Sequence, residues 1–216
     1  MTRLRVGVLI SGRGSNLRAL IDAAAYPAYP AEIVTAISNR AAAPGLGYAA
    51  SAGIPHHVIA EPDIVAFAAA ADRILRDAQV GLIALAGFMR ILDTVFVGAW
   101  ADRMINIHPS LLPAFPGLHP QRQALAAGVK FSGCTVHFVR AAVDTGPIIA
   151  QAVVPVEDGD DEDRLAERIL DAEHRLYPLA LRLFAENRLR IAGERVIIAD
   201  ATPPHIVVLN PQETPT

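Results

Sequence analysis

The chain of 216 residues carries one cysteine, Cys134. A single thiol excludes an internal disulfide framework and a multi-cysteine zinc site, and it fits a reducing compartment. Charge is also scarce: 19% of the residues are charged, with a net charge of −3. That balance offers no basic face to nucleic acid and no polybasic patch to a membrane surface. Long apolar runs are missing as well, since stretches such as Val80 to Ala86 fall well below a membrane span. Met1 to Ile10 is too short for a secretory leader and runs straight into glycine-rich turn letters. No internal repeat or low-complexity block stands out. What remains abundant is apolar side chain, 52% of the whole, enough to fill one α/β domain or at most two small ones. A cytoplasmic α/β protein is the expectation.

The first half alternates strand and helix signals. Leu4 to Ile10 is a β-branched run stopped by Ser11-Gly12-Arg13-Gly14, and a helix opens at Ser15 or Asn16 with Leu17, Leu20 and Ile21 on one face. Strands follow at Glu32 to Ser38, His57 to Ile59, Val80 to Ala86 and Met104 to His108. Helices are predicted from Pro44 to Ala52 and from Ile64 to Asp77. This alternation argues for right-handed βαβ units around a mostly parallel sheet. From Cys134 the pattern changes. Cys134 to Val139 and Ile148 to Val156 read as strands with no room for a crossover helix, so an antiparallel pair is expected. Asp161 to about Asn187 reads as one long helix, in which Pro178 predicts a kink or a break. A last hairpin turns around Gly193-Glu194, and a proline-rich tail runs from 201 to 216.

Ser11-Gly12-Arg13-Gly14-Ser15-Asn16 stands between a strand and a helix, where backbone N–H groups and the helix dipole converge on an anion. An ordinary strand-to-helix turn can carry the same letters. A dinucleotide site is disfavoured, because Leu17 replaces the third glycine of G-x-G-x-x-G and the second strand ends in Ser38-Asn39-Arg40 without an acid for a ribose. A monophosphate fits better.

Asn106 and His108 lie two apart at the carboxyl end of a strand, so both side chains leave one face where open α/β sheets place ligands. An amide and an imidazole side by side suit attack on a carbonyl: the amide donates to the developing oxyanion, and a protonated imidazole adds a charged donor that can later release its proton. The alternative is a satisfied histidine at a strand end. Asp144, in Val143-Asp144-Thr145-Gly146-Pro147, has ordinary turn chemistry around it. Its interest is as a partner, since a carboxylate beside His108 would favour the charged imidazole.

Weaker signals complete the reading. Ala86 to Leu92 either walls a flat aromatic ligand or belongs to the core. Glu173-His174 lies on the long helix, where charged residues usually form a solvated face. His56, His57, His119, His137 and His205 lack metal-ligand spacing, so each defaults to a satisfied or surface histidine and no catalytic metal is expected.

Taken in order, these residues resemble the glycinamide ribonucleotide transformylases within the folate-dependent formyltransferases. The resemblance runs from about Val6 to Ala192. It rests on Ser11 to Asn16, Ile37 to Arg40, Leu85 to Leu92, Asn106 to Pro113, Pro116 to His119, Val136 to Val139, Asp144 to Pro147 and Glu173 to Pro178. It implies an α/β fold: a Rossmann-like, mostly parallel sheet flanked by helices, with an antiparallel extension in the C-terminal part. The domain would cover 1–200, with a phosphate-binding half to about 100 and a folate and catalytic half from about 101.

The resemblance further implies Asn106, His108 and Asp144 as catalytic residues. Gly14, Ser15 and Asn16 would bind the substrate phosphate, and Leu170, Asp171, Ala172 and Glu173 would contact the phosphoribosylglycinamide. Met89, Arg90, Ile91 and Leu92 would hold the folate pteridine together with Asn106, Arg140, Ala141, Ala142, Val143 and Asp144. The substrates would be phosphoribosylglycinamide and 10-formyltetrahydrofolate, with no metal, nucleic acid or membrane, and with a homodimer left open. The chain departs from the family in having no arginine in Ala60 to Phe67, in the non-acidic loop Arg140 to Val143, and in Gln121, where some members carry histidine. The nearest alternatives are hydrolysis of 10-formyltetrahydrofolate, expected to need a regulatory domain ahead of the first strand, and formylation of initiator methionyl-tRNA, expected to need a basic C-terminal domain. A non-catalytic nucleotide-binding module would leave Asn106 and His108 without a role.

Overall fold

A computed structural model describes residues 2–203 and 205–211. Five strands run parallel: β1 (Leu4–Ile10), β2 (Ala31–Ser38), β3 (His56–Val58), β4 (Leu82–Leu85) and β5 (Met104–His108). Then β6 (Phe131–Phe138) and β7 (Ile148–Pro155) add an antiparallel extension beside β5. The order in the sheet is β3-β2-β1-β4-β5-β6-β7. The chain works outward from β1 to β3 and returns to β4, so the direction of winding reverses between β1 and β4. A crevice opens there at the carboxyl ends of the strands.

Both faces of the sheet are covered. Val6, Val8 and Ile10 of β1 join a core with α1 (Ser15–Ala24), α5 (Pro120–Ala127) and α6 (Glu162–Ala185). Leu9 points the other way, into a second core with α3 (Ile64–Asp77) and α4 (Thr94–Ala99). This alternation follows from the period of two along a strand, and two-sided burial explains why Val6 to Ile10 of β1 and the whole of β4 read as apolar runs. A short α2 (Leu46–Ser51) connects β2 to β3.

Asp161 caps α6, its carboxylate accepting the Arg164 N–H at 2.9 Å. Its buried stripe runs Leu165, Ile169, Glu173, Leu176 and Tyr177, Ala180 and Leu181, the spacing of an amphipathic helix. The helix continues through Pro178 without a break. The proline costs one intrahelical hydrogen bond, and the packing of both flanking turns against the core outweighs that loss. Two helices have no counterpart in the sequence reading: α4, capped by Asp93, and α5, which starts at Pro120 after a left-handed His119.

The expected hairpin forms a separate two-stranded sheet, β8 (Leu189–Ala192) and β9 (Arg195–Ile198). Of the proline-rich tail expected over 201–216, residues 204 and 212–216 lie outside those described. In the described part, Ile206 to Leu209 expose their side chains, and Asn210 donates to the carbonyls of Lys130 and Val156 at 2.6 and 3.0 Å.

Candidate active site

The crevice is built by the turns that follow β1, β4 and β5. Ser11 joins two of them: its hydroxyl donates to Asn39 Oδ1 at 2.6 Å and accepts the Met89 N–H at 2.8 Å. The next turn passes through Gly14, the N-cap of α1, at φ 74. A Cβ there would run into the backbone of Gly45, and one on Gly45 would lie 2.8 Å from the Gly14 Cα. Glycine is therefore required twice over, by conformation and by contact. No side chain caps α1 and its first turn holds no acid, so the helix start presents uncapped N–H donors.

Asn16 is buried and its Nδ2 donates to Glu173 Oε2 at 2.7 Å, joining the glycine-rich turn to α6. Burial pushes the Glu173 carboxyl up to about 7, opposed by the Asn16 hydrogen bond and the charge of Arg13. The Asn16 Oδ1 has no partner. Of the α6 residues named from the sequence, Glu173 is the one hydrogen-bonded to Asn16. Leu170 lies about one helical turn before it and is half-buried, Asp171 is exposed, and Ala172 packs on the core.

Asn106, His108 and Asp144 come together, the first two from β5 and the third from the turn between β6 and β7. Asp144 Oδ2 lies 3.4 Å from His108 Nδ1 and accepts the Gly117 N–H at 2.8 Å. The other imidazole nitrogen, Nε2, faces the carbonyl oxygen of Phe115 at 3.0 Å. Asp144 adopts φ 55, and a Cβ on Gly146 would collide with the Phe138 carbonyl. The turn thus lies flat against β6, which brings the carboxylate over β5. Thr135 supports the same region: its hydroxyl donates to Ser110 O at 2.7 Å and accepts the Leu112 N–H at 3.0 Å, holding the segment after His108.

His137, expected from the sequence to be only a satisfied or surface histidine, joins this group. It stands opposite Asn106 in the β5–β6 register and is 2% exposed. Its Nδ1 lies 2.9 Å from the Phe138 carbonyl, and its Nε2 lies 3.2 Å from Asn106 Nδ2 and 3.8 Å from Asp144 Oδ1. Burial holds the imidazole below the usual histidine range; the Phe138 carbonyl and Asp144 oppose that shift, and His108 adds to it. The available signal was a lone polar ring inside the apolar run from Cys134 to Val139.

A cleft of about 120 Å³ opens beside the trio. It is lined by Arg90, Ile91 and Leu92, by Arg140 to Asp144, and by Asn106 and His137. Leu85, Phe88, Val97 and Val139 complete the apolar wall. Met89 is exposed and does not line it. The Arg90 guanidinium donates to the carbonyls of Glu61 and Pro62, both at 2.6 Å, and lies over the Phe67 ring. It therefore occupies the segment noted above as having no arginine of its own. Arg140 is paired with Asp102 at 2.7 Å.

Chemically, the cleft combines apolar walls with an amide, an imidazole and a carboxylate, those of Asn106, His137 and Asp144, with the His108 imidazole 3.4 Å from that carboxylate. Cys134 does not line the cleft: it faces the core, and burial pushes its thiol up to about 12. No cluster of three or more metal-ligating side chains occurs among the described residues, and no helix among them is long and apolar enough to cross a membrane.

Residues 4–181 match the family model described as Formyl transferase. The chain belongs to that family. It is 43% identical over 191 residues to phosphoribosylglycinamide formyltransferase of Escherichia coli (strain K12), covering 87% of this chain and 90% of that one. It is 56% identical over 198 residues to the trifunctional purine biosynthetic protein adenosine-3 of Drosophila pseudoobscura pseudoobscura. That match takes in 89% of this chain and only 14% of the trifunctional protein. The structure also resembles glycinamide ribonucleotide transformylase 1 from Symbiobacterium toebii, with a TM-score of 0.89 and 52% identity. The alignment covers 92% of this chain and 95% of that one.

Proposed function

We propose that the protein is a cytoplasmic phosphoribosylglycinamide formyltransferase of purine biosynthesis. It moves the formyl group of 10-formyltetrahydrofolate to the amine of 5-phosphoribosylglycinamide. The observation that carries this reading is the joining of the three residues at one place: Asp144 faces His108 at 3.4 Å, and Asp144 and Asn106 both line one apolar cleft. The cleft takes the flat pteridine, the Gly14 to Asn16 turn takes the phosphate, and Glu173 reaches the ribonucleotide from α6.

In the reaction, the neutral glycinamide amine attacks the formyl carbon. Asn106 Nδ2 and protonated His108 donate to the oxyanion of the tetrahedral intermediate, each well-placed donor contributing about 3 kcal/mol. Both imidazole nitrogens face acceptors, Phe115 O and Asp144 Oδ2, an arrangement satisfied when both carry hydrogen. At 3.4 Å the Asp144 contact is long for a charge-assisted bond, so the Nδ1 hydrogen can be shared with a substrate oxygen lying beside Asp144. Collapse of the intermediate breaks the carbon–N10 bond. One proton passes from the attacking amine to N10, and His108 and Asp144 are placed to relay it. The products are tetrahydrofolate and the formylated ribonucleotide, with no covalent enzyme intermediate.

His108→Ala tests the assignment. Turnover falls by about two to four orders of magnitude, while ribonucleotide affinity, measured by calorimetry, stays close to that of the parent. Unchanged turnover removes His108 from the mechanism.

A further inference from the structure

The oxyanion role of Asn106 leaves a question of orientation. An amide presents a donor NH₂ and an acceptor oxygen of nearly equal size, and rotation by half a turn exchanges them. Only the donor stabilises an oxyanion; the oxygen repels it. Something must select between the two.

His137 has the chemistry to select. Its Nδ1 lies 2.9 Å from the Phe138 carbonyl, an acceptor that requires a hydrogen on Nδ1. A neutral ring with its hydrogen on Nδ1 has only a lone pair at Nε2. That nitrogen faces Asn106 Nδ2 at 3.2 Å, closer than Asp144 Oδ1 at 3.8 Å. The residue is 2% exposed, so the ring stays fixed and water does not compete for the lone pair. The register of β5 against β6 sets Asn106 directly opposite His137, so the contact is built into the sheet. Burial holds the imidazole below the usual histidine range, a shift in the direction of the neutral ring.

We infer that His137 is a positioning residue for Asn106: its unprotonated Nε2 takes one amide hydrogen and leaves the second aimed at the formyl oxygen. The inference rests on the reading of Asn106 as the oxyanion donor. It gives His137 no contact with substrate and no proton to transfer.

The test is a double-mutant cycle on the full chain, with His137→Phe and His137→Gln made in the parent and in Asn106→Ala. In the parent, His137→Phe lowers kcat by about a hundredfold, the scale of losing one oxyanion donor, and leaves both KM values within about threefold. His137→Gln, whose side-chain oxygen can accept the same hydrogen, recovers most of the loss. In the Asn106→Ala background, removing His137 costs less than about threefold more. An equal loss in both backgrounds overturns the inference while leaving Asn106 in place. No effect of Asn106→Ala alone overturns the oxyanion assignment and the inference with it. Nitrogen-15 NMR of the parent protein reads the tautomer directly and needs no variant to fold. A proton on Nδ1 with Nε2 bare supports the inference, and a proton on Nε2 overturns it.

Discussion

Asp144 Oδ2 stands 3.4 Å from His108 Nδ1, with each side chain 8% exposed, and the same oxygen accepts the Gly117 N–H. One carboxylate oxygen therefore serves two purposes, holding the loop after β5 and facing the imidazole. Low exposure matters to the second purpose, because a charge shielded from water acts more strongly on its neighbour than one on the surface.

Asp144→Asn separates the two purposes. The amide oxygen can still accept from Gly117, but the negative charge facing His108 is gone. Turnover is expected to fall by about two to three orders of magnitude, with KM for the ribonucleotide within about threefold of the parent. Steady-state kinetics check this, and an unchanged kcat would mean that the charge of Asp144 has no part in the chemistry.

Gly14→Ala tests the phosphate turn. A left-handed alanine costs about 1–2 kcal/mol, and the new methyl collides with the Gly45 backbone. Urea unfolding should show a loss of at least that size, and KM for the ribonucleotide should rise more than KM for the folate. Gly12→Ala is the control, since a Cβ at Gly12 meets nothing within 4 Å. It should leave stability nearly unchanged.

Glu173 gives stability a pH dependence. Its carboxyl is raised from 4.5 to about 7 in the folded protein, so the folded state holds its proton more tightly than the unfolded chain does. The stability linked to that proton is full below about 4.5 and lost as pH rises through about 7. The shift corresponds to roughly 3 kcal/mol at most. Urea melts at pH 5 and pH 7.5 should therefore separate more for the parent than for Glu173→Gln, which cannot ionise. Equal separation in the two proteins would show that Glu173 is ionised throughout.

Cys134→Ala checks the direct-transfer mechanism from the other side. The thiol is buried in the core, so the substitution costs about 1 kcal/mol of stability and leaves turnover within about threefold of the parent. A collapse of turnover in a folded variant would require a covalent role for the thiol.

Much of this architecture is written in the chain, and the gaps have physical causes. The strands β1, from Val6 onward, and β4 are legible because two-sided burial demands apolar runs. The antiparallel β6–β7 pair is legible because too few residues join its strands for a crossover. Helix α4, from Thr94 to Ala99, is too short to show a period, and its Val95 is exposed. Helix α5 hides behind the proline-rich loop that precedes Pro120. Of the kink or break expected at Pro178, the break does not occur, because tertiary packing holds the helix continuous. In the site, Asn106 and His108 are legible because they share a strand. The approach of Asp144 to His108 depends on how a turn folds back over β6, and the pairing of His137 with Asn106 depends on a register between strands about thirty residues apart. Neither leaves a mark in the local sequence. Glu173 does leave one, as an acid at the centre of the apolar stripe of α6.

The most direct measurement of the central claim is formyl transfer by the purified protein. It would be supplied with 10-formyltetrahydrofolate labelled in the formyl carbon, with and without phosphoribosylglycinamide. The account predicts tetrahydrofolate release only when the ribonucleotide is present, with the label recovered on its amine. Release of labelled formate at the same rate without the ribonucleotide would contradict it and make the protein a hydrolase.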